Sequence, residues 1–207
     1  MAADKTTTMV LVIDNLSPFT PEILKCLDRV ASGGDDDGGS GSGGGRIVQY
    51  TYRKHFEFTA QDLEKCDKVI LSGRRRNDPA INAANSRIIR YCHDTGKPLL
   101  GICYGAEIIA LTLGGSIKKM PRSVQGPIEI AAAPNALTGD KARLSVYESH
   151  GFCVARLPPE FERLASSQYC EYEMFAHREK KIFGTQFHPE KSGQDGQDLI
   201  ASFATRV

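Results

Sequence analysis

Residues 97–109 read Lys97-Pro98-Leu99-Leu100-Gly101-Ile102-Cys103-Tyr104-Gly105-Ala106-Glu107-Ile108-Ile109, and the fold turns on this stretch. Leu99 to Cys103 is a short apolar run of the kind that forms a strand buried on both faces, and Glu107, Ile108, Ile109 and Leu111 begin a helix. A glycine stands two residues before Cys103 and another two residues after it. A strand that turns sharply into a helix imposes an uncommon backbone conformation and brings neighbouring chains close, so glycines on either side relieve the crowding. The reading is a nucleophile elbow with Cys103 at its tip. A helix N-terminus favours the thiolate there, and the Tyr104 amide N–H faces the place where an oxyanion would form.

Working outward, the flanking segments alternate between strand and helix. Met9 to Ile13 is a continuous apolar run ending at Asp14-Asn15. Thr20-Pro21 then opens a helix, with Thr20 as N-cap, Pro21 at the first helical position, and Ile23, Leu24, Leu27 and Val30 on one face. A strand follows at Ile47 to Tyr52, a short helix from Thr59 to Cys66, and a strand at Lys68 to Ser72. The longer helix Pro79 to Thr95 turns Ile81, Ala84, Ile88 and Tyr91 inward and stops at Gly96-Lys97-Pro98. This alternation predicts an α/β fold of three layers, a mostly parallel central sheet flanked by helices. From Ile128 onward the segments shorten. Ile128 to Ala132, Arg143 to Tyr147 and Ile182 to Phe187 read as mostly antiparallel additions in the C-terminal half, before a closing helix from Gly196 to Arg206.

The chain has 207 residues, 41% of them hydrophobic and 25% charged, enough for one full core and too short for two independent enzyme domains. One domain over 1–207 is the expectation. Its formal net charge of +1 removes any bulk-charge argument for binding nucleic acid or an anionic membrane. No apolar run approaches the roughly 18 residues of a bilayer span, and Met1 to Thr8 lacks the apolar core of a signal peptide, which predicts a soluble, cytoplasmic protein. Cys26, Cys66, Cys92, Cys103, Cys153 and Cys170 form no C-x-x-C pair. They fit neither a disulfide scaffold nor a zinc site, so most are read as reduced, buried small hydrophobes and no metal site is expected. Residues 33–45, GGDDDGGSGSGGG, hold only Gly, Asp and Ser and lack the means to pack a core. They follow a helix, the reverse of a phosphate-binding loop, and their adjacent aspartates do not suit a calcium loop. They read as a flexible surface insertion.

A cysteine nucleophile needs a base oriented by a third group. Gly184-Thr185-Gln186-Phe187-His188-Pro189-Glu190 supplies both at the end of another apolar strand, with Glu190 near enough to hold the His188 imidazole. His55, His93, His150 and His177 lack that context, and His55 and His93 read as solvent-facing.

Gly-Ile-Cys-Tyr-Gly after a strand, followed by Gln-Phe-His-Pro-Glu, resembles a class I (triad) glutamine amidotransferase domain over nearly the whole chain. Within that family Val146 to His150, Leu157 to Phe161 and Cys170 to His177 most resemble the free-standing glutaminase subunit of archaeal-type GMP synthetases. The resemblance implies that Cys103 attacks the side-chain amide of glutamine, that His188 shuttles the proton and that Glu190 orients His188. It places the oxyanion donors at Tyr104 and in the loop after the third strand, at Gly73. It implies substrate contacts from Glu107, Ser149, His150, Gly151 and Phe152. No cofactor is expected in this chain. ATP and Mg belong to a partner synthetase, most readily one that aminates XMP.

Three departures from the family pattern matter. The usual Gly-His-Gln after the elbow is Gly105-Ala106-Glu107, so a carboxylate stands where an amide is expected. The usual Gly-Gly-Pro oxyanion loop is Gly73-Arg74-Arg75-Arg76, which adds bulk beside the thioester. This predicts that at least one arginine lies near the pocket and that the free protein holds the loop unproductively until a partner draws the arginines outward. Ser149-His150-Gly151-Phe152 is similar to the glutamine-holding segment of carbamoyl-phosphate synthetase small subunits. A component of that or another amidotransferase, a stand-alone γ-glutamyl hydrolase and a weakly active regulatory relative are therefore the competing readings.

Overall fold

The computed structural model describes residues 7–33 and 47–207. Most of the Gly/Asp/Ser insertion at 33–45 lies outside the described residues.

Strand β1 (Thr7–Asn15), helix α1 (Thr20–Ala31), β2 (Ile47–Lys54), α2 (Ala60–Lys65), β3 (Lys68–Arg74), α3 (Pro79–Thr95), β4 (Leu99–Ile102) and α4 (Tyr104–Thr112) form the first half. The second half holds β5 (Ser116–Ala132), β6 (Arg143–Arg156), β7 (Phe161–Ser166), β8 (Met174–His177), β9 (Ile182–Thr185), a 3-10 turn at Pro189–Lys191 and α5 (Gly193–Thr205). All nine strands join one sheet in the order β2-β1-β3-β4-β9-β8-β7-β5-β6. Pairing is parallel from β2 through β9 and antiparallel from β9 to β6. Ile182 to Thr185 therefore differs from the expectation: it is parallel to β4 on one side and antiparallel to β8 on the other.

The parallel strands are apolar on both faces because helices cover both. Val10, Val12, Ile70, Leu100 and Ile102 pack with α1 and α5 on one face, while Leu11, Ile13, Val69, Leu71 and Leu99 pack with α2, α3 and α4 on the other. Helix α3 starts and stops where the sequence places it. The Asp78 carboxylate accepts from the Ala80 amide at 2.8 Å, and Gly96 closes the helix at φ 72°. Helix α1 differs at its start. Phe19 occupies the cap position without a side-chain hydrogen bond. Thr20 is buried and its hydroxyl donates to Asp14 Oδ1 at 2.6 Å, so a tertiary bond to the end of β1 displaces the local cap. His55, expected in solvent, is buried, with its ring edge-on to Phe56. Among the described residues no helix is long and apolar enough to cross a membrane.

Candidate active site

The C-terminal ends of β3, β4 and β9 lie side by side, the usual place for a ligand in an open α/β sheet. Cys103 leaves β4 with φ 52° and ψ −107°, one of two non-glycine residues with positive φ among those described. Such a backbone costs on the order of 1–3 kcal/mol and survives only where its surroundings enforce it. A Cβ at Gly101 would sit 2.5 Å from the Gly105 carbonyl, and a Cβ at Gly105 would sit 2.5 Å from the Leu71 carbonyl oxygen. The glycines flanking Cys103 are thus required by space. The Cys103 N–H donates to the Thr185 carbonyl at 2.7 Å, which ties the elbow to β9. As the first residue of α4, Tyr104 has an amide N–H with no acceptor inside the helix.

Beyond β9 the chain carries Gln186 and His188 over the elbow. His188 Nδ1 lies 2.8 Å from Glu190 Oε1, and both side chains are buried. The His188 N–H donates to the Tyr147 carbonyl, its carbonyl accepts from the Ser192 hydroxyl, and Phe19 meets its ring edge-on. Burial opposes the charged imidazole, but the Glu190 carboxylate and the Cys103 sulfur outweigh it and hold the His188 pKa well above the ordinary histidine value. Burial pushes the Cys103 thiol up, His188 pulls it down through charge and a hydrogen bond, and the Glu107 and Glu190 charges push it up again. Cys103, His188 and Glu190, singled out in the sequence, are therefore brought together.

Gly73 closes the other side. A Cβ there would lie 3.1 Å from His188 Cε1 and 3.7 Å from Cys103 Cβ, so its missing side chain makes room for both. The Ser72 hydroxyl donates to the Gly73 carbonyl and accepts from the Asn15 amide. Asn15 and Asn85 bond each other beneath, joining the ends of β1 and β3 to α3. A pocket of about 240 Å³ opens beside Cys103, lined by Arg74 to Asn77, Tyr104, Glu107 and Ser149 to Phe152. Every substrate contact implied by the resemblance is in that lining, and all three arginines of the run are there too. Arg74 does not lie over the thiol: its guanidinium stacks on the Tyr104 ring at 3.8 Å and donates to Asn82 Oδ1 at 2.6 Å. The Tyr104 hydroxyl donates to the same Asn82 oxygen. Arg75 and Arg76 are exposed.

Glu107 is buried and its Oε1 accepts from Gln186 Nε2 at 3.2 Å. Burial raises its pKa, against the pull of Gln186, His150, Arg74 and His188. Gln186, whose amide also approaches Cys103 Sγ at 4.0 Å, is a site residue that the sequence reading passed over. The signal was available, since Gln186 and His188 stand two apart in an extended segment and so face the same way.

Residues 45–207 match the family model for the class-I glutamine amidotransferases, and the chain belongs to that family. Among its relatives are a glutamine-hydrolyzing GMP synthase subunit of Thermoplasma acidophilum and the protein of the same description from Methanococcoides burtonii. The first is 32% identical over 151 residues, covering 71% of this chain and 75% of that one. The second is 36% identical over 143 residues, covering 68% and 73%. A crystal structure of a GMP synthase subunit from T. acidophilum superposes with a TM-score of 0.78 at 26% identity, covering 95% of this chain and 92% of that one.

Proposed function

We propose that this chain is a glutaminase subunit that hydrolyses glutamine to glutamate and ammonia through a thioester on Cys103 and passes the ammonia to a separate ATP-using synthetase. The observation that carries the reading is Cys103 at φ 52° on a glycine-flanked elbow, coupled to a buried His188–Glu190 pair. In the first half-reaction Cys103 Sγ attacks the side-chain carbonyl carbon of glutamine, and the thiol proton passes through His188 to the departing ammonia. In the second, water attacks the thioester, His188 takes a proton from it and returns one to sulfur, and glutamate leaves. Glu190 keeps the imidazole oriented and stabilises its cation in both. The oxyanion of each tetrahedral intermediate takes hydrogen bonds from the Tyr104 N–H and from the backbone at Gly73. The γ-carboxamide enters beside Glu107, and Ser149 to Phe152 bound the rest of the molecule.

The reading assigns no cofactor to this chain, and ATP and Mg to the partner. Its relatives described as glutamine-hydrolyzing GMP synthase subunits support a GMP-forming synthetase as that partner; the reading takes XMP as the ammonia acceptor and the cytoplasm as the compartment, with no nucleic acid or membrane as a partner. Phe152, 45% exposed on the pocket rim, is an apolar side chain that a docked partner would cover. The test is glutamate release from free glutamine, with and without the synthetase and XMP. Loss of turnover in Cys103→Ala and stimulation by the synthetase are expected. Full activity in Cys103→Ala refutes the thioester, while capture of a different ammonia acceptor keeps the glutaminase and discards the GMP assignment.

A further inference from the structure

Behind the pocket lies a group of three side chains, of which the proposed mechanism uses only His150, as part of the pocket wall. Glu148 and His150 stand two apart on β6 and so face the same way, and Glu173, in the turn before β8, meets them from the other side. Glu148 and Glu173 are fully buried, and the His150 side chain is 1% exposed. One ligand atom from each residue lies within 4.8 Å of the other two.

The protonation of His150 is fixed by its outer contact. Nδ1 lies 2.7 Å from the Phe152 carbonyl, which only accepts, so Nδ1 carries a proton and Nε2 is the ring nitrogen turned into the cluster. Nε2 is 2.9 Å from Glu148 Oε2 yet makes no hydrogen bond with it. Both Glu148 oxygens and Glu173 Oε2 are likewise buried without a hydrogen-bond partner, while Glu173 Oε1 is held at 2.5 Å by the Ser167 hydroxyl. Among the described residues no lysine or arginine pairs with either carboxylate. Two buried carboxylates face each other with only the His150 ring beside them, and a shared proton, an imidazolium or a dication must neutralise them. An imidazole tautomer set by a carbonyl, a carboxylate oriented by a hydroxyl, and unpartnered donor atoms converging on one point are the outer and inner shells of a metal site.

We propose that Glu148, His150 and Glu173 bind a divalent cation of borderline softness, with Zn²⁺ the best match to one imidazole and two carboxylates. Bonds of about 2.0–2.1 Å in a tetrahedral shell separate ligand atoms by about 3.3 Å, a spacing these three reach with small rotations. His150 also lines the pocket beside Cys103, so the cluster adjoins that pocket. The other His and Glu group among the described residues, His93, Glu160 and His177, lacks these features. His177 Nδ1 accepts two backbone N–H groups, so its Nε2 carries the proton, and the Lys180 ammonium already sits 3.0 Å from His93 Nε2.

The experiment uses the full chain in a Cys103→Ser background, so that the active-site thiol offers no competing ligand. After exposure to ZnCl₂ and exhaustive dialysis, metal analysis should find about one zinc per chain, and the melting temperature should rise with added Zn²⁺ but not with Mg²⁺. Glu148→Gln and Glu173→Gln should each weaken binding by more than about 100-fold. Ser167→Ala, which removes the outer hydroxyl together with its bonds from the Tyr169 and Cys170 amides, should fall within the 10–100-fold typical of such partners. Should either glutamine variant fail to fold, Co²⁺ in the parent protein supplies an independent reading: a d–d spectrum without a thiolate charge-transfer band is expected. No retained zinc overturns the proposal and leaves shared protons as the neutralising charge. Zinc that survives Glu173→Gln and is lost in His93→Ala overturns it equally, as does a thiolate band with cobalt.

Discussion

Arg74 stands where the family expects a small residue, and replacing it tests how the oxyanion loop works. Its guanidinium joins three elements: it leaves β3, stacks on the first residue of α4 and bonds Asn82 of α3. The two backbone donors assigned to the oxyanion belong to Gly73 and Tyr104, so the stack sets their separation. A guanidinium over an aromatic face contributes about 0.5–2 kcal/mol, rising with desolvation. A charged hydrogen bond contributes about 1.5–3 kcal/mol. Arg74 is half-buried and solvent screens both contacts, so the lower ends apply and about 2 kcal/mol holds the loop to the elbow. Losing about 1.4–2 kcal/mol of alignment corresponds to a fall of roughly 10- to 30-fold in kcat. That lies below the 10²- to 10³-fold cost of losing a donor outright, as expected if the amide is misplaced part of the time. Arg74→Ala should show this fall in steady-state glutamate release, with a matching slowing of Cys103 labelling by a glutamine-like electrophile. Arg74→Lys keeps the charge but loses the planar stack and the fork, so it should not restore kcat. The sequence-based expectation has the opposite sign, because a loop held back by its arginines is released when they are removed. Arg74→Ala with turnover equal to or above that of the unmodified chain refutes the clamp and restores that reading.

Glu190→Gln removes the anion that stabilises the His188 cation, so the His188 pKa should fall. The acid limb of the kcat/KM profile should move to lower pH, while the maximal rate drops on the order of 10²-fold; a limb that stays in place refutes the pairing. Glu107→Gln removes a negative charge that raises the Cys103 thiol, so alkylation of Cys103 by iodoacetamide at neutral pH should accelerate severalfold. An unchanged rate shows that Glu107 is already neutral there. Gly105→Ala sets a helix-propensity gain of about 1 kcal/mol against the contact with the Leu71 carbonyl. Overpacking of about 1–3 kcal/mol should win, and a raised denaturation midpoint contradicts it. Shortening residues 33–45 to a tight turn should change stability by less than about 1 kcal/mol, and loss of folding reveals a structural partner for that segment.

What was legible in the sequence is what local sterics and periodicity control. The need for Gly101 arises against Gly105 and Ile109 of its own elbow, and the ends of α3 are set by Asp78 and Gly96, so these could be placed without tertiary information, whereas the contact that requires Gly105 comes from Leu71 of β3. The errors arise where distant contacts win. Thr20 gives up its cap to bond Asp14, and β7 and β8 are too short and too mixed in pattern to stand out before the sheet recruits them. The outer part of β5, with Lys118, Lys119 and Pro121, has no apolar strand pattern of its own: it pairs only with β6, and the register shifts across that proline.

Leu144 and Val146 are buried by the alternation of β6, and the same alternation carries Glu148 and His150 to the inner face two and four residues later. Period two thus predicts two buried polar side chains where composition would put them in water. It cannot supply Glu173, which arrives through a turn whose backbone is fixed by Ala165 on one side and Gln186 on the other. Once the register places one acid inside, the cost of burying it falls on whatever the fold brings opposite. Here the fold brings a second acid, which increases that cost instead of offsetting it. The proposed cation between them offsets that cost with one ion shared by all three side chains, and the alternative is a proton shared between the two acids.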